Sequence, residues 1–356
     1  MPGGQRIRRV NTRTASRALP VTRTAAAPPG ARLPGLAAST ALAVVATVIG
    51  RLVPVLGGPV TGIVLGVLIA AVARPGQRFQ PGIRTASRFV LQLGVVVLGT
   101  QLSLAEVLRV GLASLPVMLG TLAVCLTGAY LIGRGLGVSG DVRTLIGVGT
   151  GICGASAIAA VTPVIAAAEA DVAYAVSTIF LFNIAAVLTF PLIGHLLGLS
   201  QQAFGLFAGT AVNDMSSVVA ASTAYGAAAA SHAVVVKLTR TLLIIPICLG
   251  LAAIGSKRPG ADASPAPLRV TRLVPWFLAG FLVAAAAASA GLVPQQARGG
   301  LDQLSVFLIT VALSAIGLST DLRGLRRAGA RPLLLGACLW LLVSATSLAL
   351  QAAFSG

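Results

Sequence analysis

Charge is scarce in this sequence. Of 356 residues only 10% are charged, against about 25% in an ordinary soluble domain, which argues against both a soluble enzyme and a disordered chain. Acid is scarcer still. Eight Asp and Glu stand against 26 Lys and Arg, a formal net charge of +18. In a soluble protein such an excess points to nucleic acid; here the positions of the charges decide otherwise. Four cysteines are present, Cys125, Cys153, Cys248 and Cys338, each alone in an apolar run. With no CxxC pair and no His at ligand spacing, neither a disulfide framework nor a metal site is expected, and these residues read as small buried hydrophobes. Aromatics make up 4%. No Walker A and no GxSxG motif occurs, and no cofactor or enzymatic role is expected.

What fills the chain instead is apolar. Hydrophobic residues make up 56%, and the mean hydropathy is +0.94. Eleven apolar segments run over about 36–53, 59–73, 86–103, 110–133, 144–165, 172–197, 203–222, 232–254, 273–293, 303–319 and 332–354. Crossing a hydrocarbon core of about 30 Å takes about 20 helical residues, and most segments reach that length. The second is short and bounded by Gly58 and Pro59, so it reads as tilted, broken or partly re-entrant. The expected fold class is therefore an all-α polytopic membrane protein with about 11 transmembrane segments. Residues 1–34 form a basic tail with seven Arg and no acid, expected to be disordered and cytoplasmic, held near anionic lipid. Arg8-Arg9 and the acid-poor composition resemble targeting signals, but those account for none of the later segments. Residues 35–356 form the transmembrane domain, with a cytoplasmic linker near 255–272.

The basic residues orient the chain. With a cytoplasmic N-terminus and eleven crossings, 21 of the 26 basic residues fall on the cytoplasmic side and three, Arg51, Arg109 and Arg298, on the other. That asymmetry obeys the positive-inside rule and puts the C-terminus outside the membrane. Glu169 and Asp171 then lie in an outer loop or an entry vestibule, and His195 and His232 at interfaces.

Two segments depart from plain helix. Gly149-Thr150-Gly151-Ile152-Cys153-Gly154-Ala155-Ser156 and Gly209-Thr210-Ala211-Val212-Asn213-Asp214-Met215-Ser216-Ser217 align at an offset of 60, sharing Gly149/Gly209, Thr150/Thr210 and Ser156/Ser216. Cys153 and Asp214 lie about 14 and 16 Å into their spans at 1.5 Å per residue, near the middle of the core. Small and polar residues at that depth imply interrupted helices, tolerated only where they are buried in protein or line a watery cavity. Half-helix N-termini there present free N–H groups to an anion. The glycines also suit close helix packing. Asp214 is harder to explain that way, because an ionisable residue at the bilayer centre costs about 2.5–3.5 kcal/mol or more. Lys237 and Arg240 share one face of the eighth segment. Lys237 could snorkel outward; Arg240 lies deeper. One carboxylate with two cations favours an anionic ligand. Asn183 and Gln92 either bond across helices or line a pathway.

Gly149-x-Gly151-x-x-Gly154 also matches a dinucleotide fingerprint, with Glu169 twenty residues on, but its flanks are apolar spans rather than βα units. A second similarity, Gly99, Leu104 and Gly111 against Gly317, Leu322 and Gly329 at an offset of 218, fits inverted halves. One conflict remains. Crossed half-helices need opposite orientations, whereas segments five and seven of eleven full crossings share one, so either a nearby segment is re-entrant or the span count is off.

At these residues the sequence resembles a known family. Gly151-Ile152-Cys153-Gly154-Ala155-Ser156-Ala157-Ile158, Phe190-Pro191-Leu192-Ile193-Gly194, the stretch from Ala208 to Ala221, and Val235-Val236-Lys237-Leu238-Thr239-Arg240 are similar to motifs of the YeiH-type conserved bacterial membrane proteins, a family named for a proposed role in sulfate export. The resemblance spans about residues 36–354 and implies a transporter with inverted repeats. The Arg-rich tail departs from the common pattern. The expected function is secondary transport of a small anion, such as sulfate, a sulfonate or an organic anion. A proton- or sodium-coupled organic-acid carrier and a passive anion channel are the alternatives. The expected binding residues are Thr150, Gly151, Cys153, Gly154, Ser156, Asn213, Asp214, Ser216, Ser217, Lys237 and Arg240. Expected partners are the anion, the lipid bilayer and a coupling proton or sodium ion, with a homodimer open and nucleic acid excluded.

Overall fold

The structure is a computed structural model that describes residues 29–52, 57–73, 75–255, 275–319 and 330–354. Residues 1–28, the linker at 256–274, and residues 320–329, with Leu322 and Gly329 of the 218-residue similarity, lie outside the described residues. Every described element is helical, as the composition implies.

In chain order the helices are α1 (Pro29–Leu52), α2 (Gly57–Val72), α3 (Gln80–Thr85), α4 (Leu91–Leu98), α5 (Leu104–Gly135), α6 (Gly140–Gly151), α7 (Ala155–Ile165), α8 (Glu169–Leu196), α9 (Gln201–Ala211), α10 (Met215–Tyr225), α11 (Ala227–Leu242), α12 (Ile244–Gly255), α13 (Trp276–Ser289), α14 (Gln295–Ser319) and α15 (Ala330–Phe354). A π-helical turn joins α3 to α4, so 80–101 forms one rod. Among the described residues, seven helical stretches are long and apolar enough to cross a bilayer. Helix α1 begins earlier than the apolar pattern suggests, taking in residues 29–34 of the expected tail. Proline is favoured in the first helical turn, where its missing N–H costs nothing, so Pro29 starts this helix rather than preventing it.

The main departure from the sequence reading concerns segments five and seven. Neither runs straight through. In the fifth, α6 ends at Gly151 and α7 begins at Ala155, and Gly149 lies against Ile158, so close that a Cβ at 149 would sit 3.0 Å from the Ile158 side chain. Nine residues of continuous helix would separate those positions by about 13 Å; the chain has turned back. In the seventh, α10 returns to where α9 began. Tyr225 stacks on Phe204 at 3.9 Å and on His195 at 4.4 Å, its hydroxyl donates to the Leu199 carbonyl, and Gln201 Oε1 accepts from the N–H groups of Ala228 and Ala229. Both segments are re-entrant hairpins.

They enter from opposite ends of the molecule. Helix α6 starts beside the end of α5, where Gly133 meets Arg143. Helix α8, with 28 residues and about 42 Å of length, carries the chain to the other end, where α9 starts. This removes the orientation conflict: one full crossing separates the two hairpins, so they are inverted. It also moves Glu169 and Asp171 to the end that holds Gly135 and Gly140, and His195 to the end that holds Gly226.

The helices form two groups. One contains α1–α4, α13 and α14; the other contains α5–α12 and α15. In the first, glycines bring backbones together. A Cβ at Gly66 would lie 2.6 Å from the Ser314 carbonyl, and one at Gly317 would lie 2.4 Å from that of Ile63. Trp276 donates to Gln92 across helices at 2.9 Å, so Gln92 serves packing. The groups meet chiefly where α10 packs on α2 and α14, and where α13 packs on α5.

The hairpins make a labelling pattern that eleven crossings do not. In a cysteine-free background, Glu169→Cys should react with an impermeant maleimide from the same side as Gly135→Cys. Gln202→Cys should react from the side of Ala228→Cys. Reaction of positions 169 and 135 from opposite sides would restore a straight fifth crossing.

Candidate functional site

The tips of the two hairpins meet. Gly154 faces Asp214 so closely that a Cβ added at 154 would lie 3.4 Å from both Cα and Cβ of Asp214. The offset-60 repeat is structural as well as sequential: α7 spans 155–165 and α10 spans 215–225. Helix α6 is closed by Ile152 and α9 by Val212, and Gly154 and Asp214 precede the return helices. Gly154 has φ +67°, a left-handed conformation that glycine adopts without a Cβ penalty. Asp214 is extended, with φ −98° and ψ 146°.

Each broken helix leaves carbonyls without intrahelical partners at its C-terminal end and N–H groups without partners at its N-terminal end. The C-terminal ends are met by the two cations of α11. Lys237 Nζ donates to the carbonyl of Ile152 at 2.8 Å and to that of Val212 at 2.7 Å, and so ties one tip to the other. Arg240 Nη1 donates to the carbonyl of Thr210, two residues further back at the end of α9. Both side chains are fully buried, so Lys237 does not snorkel. The negative ends of the half-helix dipoles favour cations at these positions.

The N-terminal ends differ. At the start of α10, the Asp214 carboxylate accepts from the Ser216 N–H and from the Ser216 hydroxyl. Asn183, in the middle of α8, accepts with Oδ1 from the N–H groups of Asn213 at 3.1 Å and Asp214 at 3.2 Å. At the start of α7 no side chain caps the helix. Ser156 is exposed there, whereas its repeat partner Ser216 is buried.

The expected site residues thus separate into two layers. Gly154, Ser156, Asn213, Asp214, Ser216 and Ser217 form the return sides of the tips. Thr150, Gly151, Cys153, Lys237 and Arg240 lie behind them, all buried. The geometry brings Asp214 to the helix start rather than into a hydrogen bond with either cation, whose donors go to backbone carbonyls. Among these site residues three side-chain atoms have no hydrogen-bond partner although buried: Asn213 Oδ1, Arg240 Nε and Arg240 Nη2. An unsatisfied buried donor or acceptor costs about 1–3 kcal/mol, which makes these atoms the natural contacts for a ligand or ordered water. Thr210 also pairs with Ser347 of α15 at 2.7 Å; nothing in the sequence connects those two positions. Asn183 was traceable as a lone amide in mid-span, but its capping role depends on the hairpin. All four cysteines are free, three of them buried.

Asn183→Leu strands two backbone N–H groups at mid-depth. The purified variant should lose about 1–3 kcal/mol of stability per stranded group, read as a lower unfolding midpoint in detergent, while Asn183→Asp, which keeps an acceptor, should lose less. An Asn183→Leu protein as stable as the parent would remove this cap from the account.

Comparison with known proteins fits the geometry. A family model described as conserved hypothetical protein 698 matches residues 34–336. The chain is 42% identical over 327 residues to a UPF0324 membrane protein of Streptococcus pyogenes serotype M6, covering 90% of this chain and 96% of that one. A UPF0324 membrane protein of Fusobacterium nucleatum is 39% identical over 340 residues, covering 90% and 97%. One from Streptococcus pneumoniae is 41% identical over 330 residues, covering 89% and 96%. No solved structure matches. The family indicated by the hairpin motifs is thus the one found: this chain belongs to the conserved hypothetical protein 698 family of UPF0324 multi-pass membrane proteins.

Proposed function

We propose that this protein is a secondary transporter of a small anion, which it carries at the junction of the two hairpin tips. The observation that carries the reading is the pair of inverted re-entrant hairpins meeting tip to tip, with a buried cation tying them together. Paired interrupted helices of opposite orientation are a recurring way to build a midplane binding site. Broken backbone at that depth is tolerated where it is buried in protein or lines a watery cavity, and such a cavity is what a transported solute needs.

The sign of the substrate follows from what remains unpaired. Lys237 and the ends of α6 and α9 neutralise one another, and Asp214 neutralises the start of α10. Left over are the uncapped N-terminus of α7, with the accessible Ser156 hydroxyl, and the Arg240 guanidinium with two free N–H positions. A helix N-terminus and a guanidinium both favour an oxyanion. Sulfate, a sulfonate or a carboxylate carries such an oxyanion.

Of the described basic residues, Arg32, Arg78, Arg134, Arg143 and Arg331 gather at the end of the molecule where α6 starts, Arg84 and Arg88 follow within the first turns of the rod that begins there, and Arg109 and Arg298 lie toward the other end. By the positive-inside rule the first end faces the cytoplasm. Hairpin α6–α7 then enters from the cytoplasm, hairpin α9–α10 from outside, and the C-terminal helix α15 ends outside. Movement of the hairpin group against α1–α4, α13 and α14 would expose the junction to each side in turn.

Counterflow in proteoliposomes tests this directly. Protein loaded with unlabelled anion should accumulate the labelled species saturably for at least one member of a panel containing sulfate, small sulfonates and di- and monocarboxylates. Linear, unsaturable flux would indicate a channel. Arg240→Ala should raise the apparent Kd of the transported anion about 10- to 150-fold, because charge-assisted hydrogen bonds contribute about 1.5–3 kcal/mol. Arg240→Lys should fall between, since a point charge lacks the planar fork. Unchanged affinity in folded Arg240→Ala would leave Arg240 as a cap on α9 only.

A further inference from the structure

The point occupied by the Lys237 ammonium has the donors of a monovalent-cation site. Two backbone carbonyl oxygens, of Ile152 and Val212, converge on it, one from each hairpin. Each belongs to the residue that closes a half-helix, so two negative dipole ends point at the same spot. Where half-helices meet inside a transporter, unwound carbonyls and helix C-termini are the groups that coordinate a coupling sodium ion. Here the spot is filled from within, by a nitrogen at 2.8 and 2.7 Å on a fully buried side chain.

We propose that Lys237 is a tethered cation that permanently takes the place of a sodium ion between the hairpin tips. The protein therefore binds no sodium at this junction, and any ion coupling runs through the proton that Lys237 carries. The coupling part rests on the transporter reading; the occupancy of the site does not. A tethered cation cannot dissociate. The site can lose its charge only when an N–H bond of the ammonium breaks, leaving the neutral amine on α11 and passing the proton to water on whichever side the junction then faces. Both carbonyls lose a charged donor in that step, and the tie between the hairpins weakens. The charged and titratable groups around Lys237 are Asp214 at the start of α10, Cys153 in the α6–α7 turn and Arg240 on its own helix, with Cys125 of α5 beside Arg240. Asp214 is the single carboxylate among them and the natural first relay toward the accessible side of the tips.

The geometry also says what a cavity at this position would do. Truncation of Lys237 to alanine would leave two converging carbonyls and no cation, a vacancy that a small monovalent ion can enter. A neutral side chain of similar length would fill the space without supplying charge.

Thermal unfolding of the purified full-length protein in detergent is the test, in sodium, potassium, ammonium or choline chloride at equal ionic strength. The parent should melt at the same temperature in all four. Lys237→Ala should melt lower in choline and recover saturably with sodium or ammonium, by at least about 3 °C. Lys237→Met should not respond to any of them. A parent protein stabilised by sodium over choline overturns the proposal, as does a Lys237→Ala protein indifferent to all three small cations. If Lys237→Ala does not survive purification, the parent decides alone: a sodium-independent melt and anion uptake driven by a pH gradient in sodium-free medium support the proposal, and sodium-dependent uptake overturns it. Absence of flux for every anion, with the melting results as expected, overturns the transporter reading and the coupling role and leaves the tethered cation in place.

Discussion

Backbone carbonyls that lose their helical partners halfway through a membrane must be met by some donor, and the rest of this structure depends on how that is done. No water from the bilayer is available at that depth, and each unmet group costs several kcal/mol. Two helices break within a few ångströms of each other, and one ammonium serves both breaks. The dependence is mutual. A bare ammonium or guanidinium in such surroundings is itself expensive, with an effective penalty of several kcal/mol per ion. Lys237 and Arg240 are tolerable because they face the negative ends of α6 and α9. The helix ends are tolerable because the cations face them. Removing either side of this arrangement strands the other, so the hairpins and the charged face of α11 form one unit.

The two hairpins share a frame but not a chemistry. Their return helices have equal length at an offset of 60 residues, yet the position that precedes each return differs: glycine at 154, aspartate at 214. Glycine supplies the turn and leaves the start of α7 uncapped. Aspartate supplies both the turn and the cap, and Asn183 adds a second acceptor. An inverted pair therefore presents one occupied and one open helix start at the same junction. The open start belongs to the tip whose serine, Ser156, remains exposed. Had both tips carried a carboxylate, the junction would repel the anion that its two cations favour.

Much of this was legible in the chain. Apolar segments separate cleanly because most of the few charges fall between them rather than within them. The breaks stand out because Gly, Asn, Asp and Ser are conspicuous at a depth where Leu and Val are the rule. Lys237 and Arg240 were identifiable for the same reason. The turning back of segments five and seven was not legible, and the reason is length. Two 11-residue half-helices and their turn contain as many apolar residues as one full span, so hydropathy is blind to the direction of the second half. Only contacts between ends, such as Gly149 with Ile158 and Tyr225 with Leu199, reveal the return. The partner of Lys237 was hidden for a different reason. Asp214 is the visible opposite charge, but the groups that bind the ammonium are backbone carbonyls, which every residue has and no sequence advertises.

The division of the helices into two groups bears on where motion can occur. Within α1, α2, α3 and α14 the backbones touch at glycines: Gly35 on Gly82, Gly50 on Gly58, and Gly66 and Gly317 across α2 and α14. Backbone-on-backbone contact leaves no side chain to repack, so these helices resist sliding past one another. The hairpin group is held by the Lys237 tie and by an aromatic stack through Phe190, Phe207 and Trp340. Between the groups the surface is of another kind. Helix α10 offers Val219 and Ala220 to an apolar cluster that includes Ile63, Ile309 and Leu313. Dispersion contacts of that sort are individually small and can be exchanged for similar ones after a shift of a turn. Displacement of the hairpin group as a whole breaks none of the buried polar bonds at the junction, whereas separating the hairpin tips breaks both bonds of Lys237. A transport cycle that keeps the tips together while the group moves is therefore the less costly route, and it carries the site, its cation and its open helix start across as one piece.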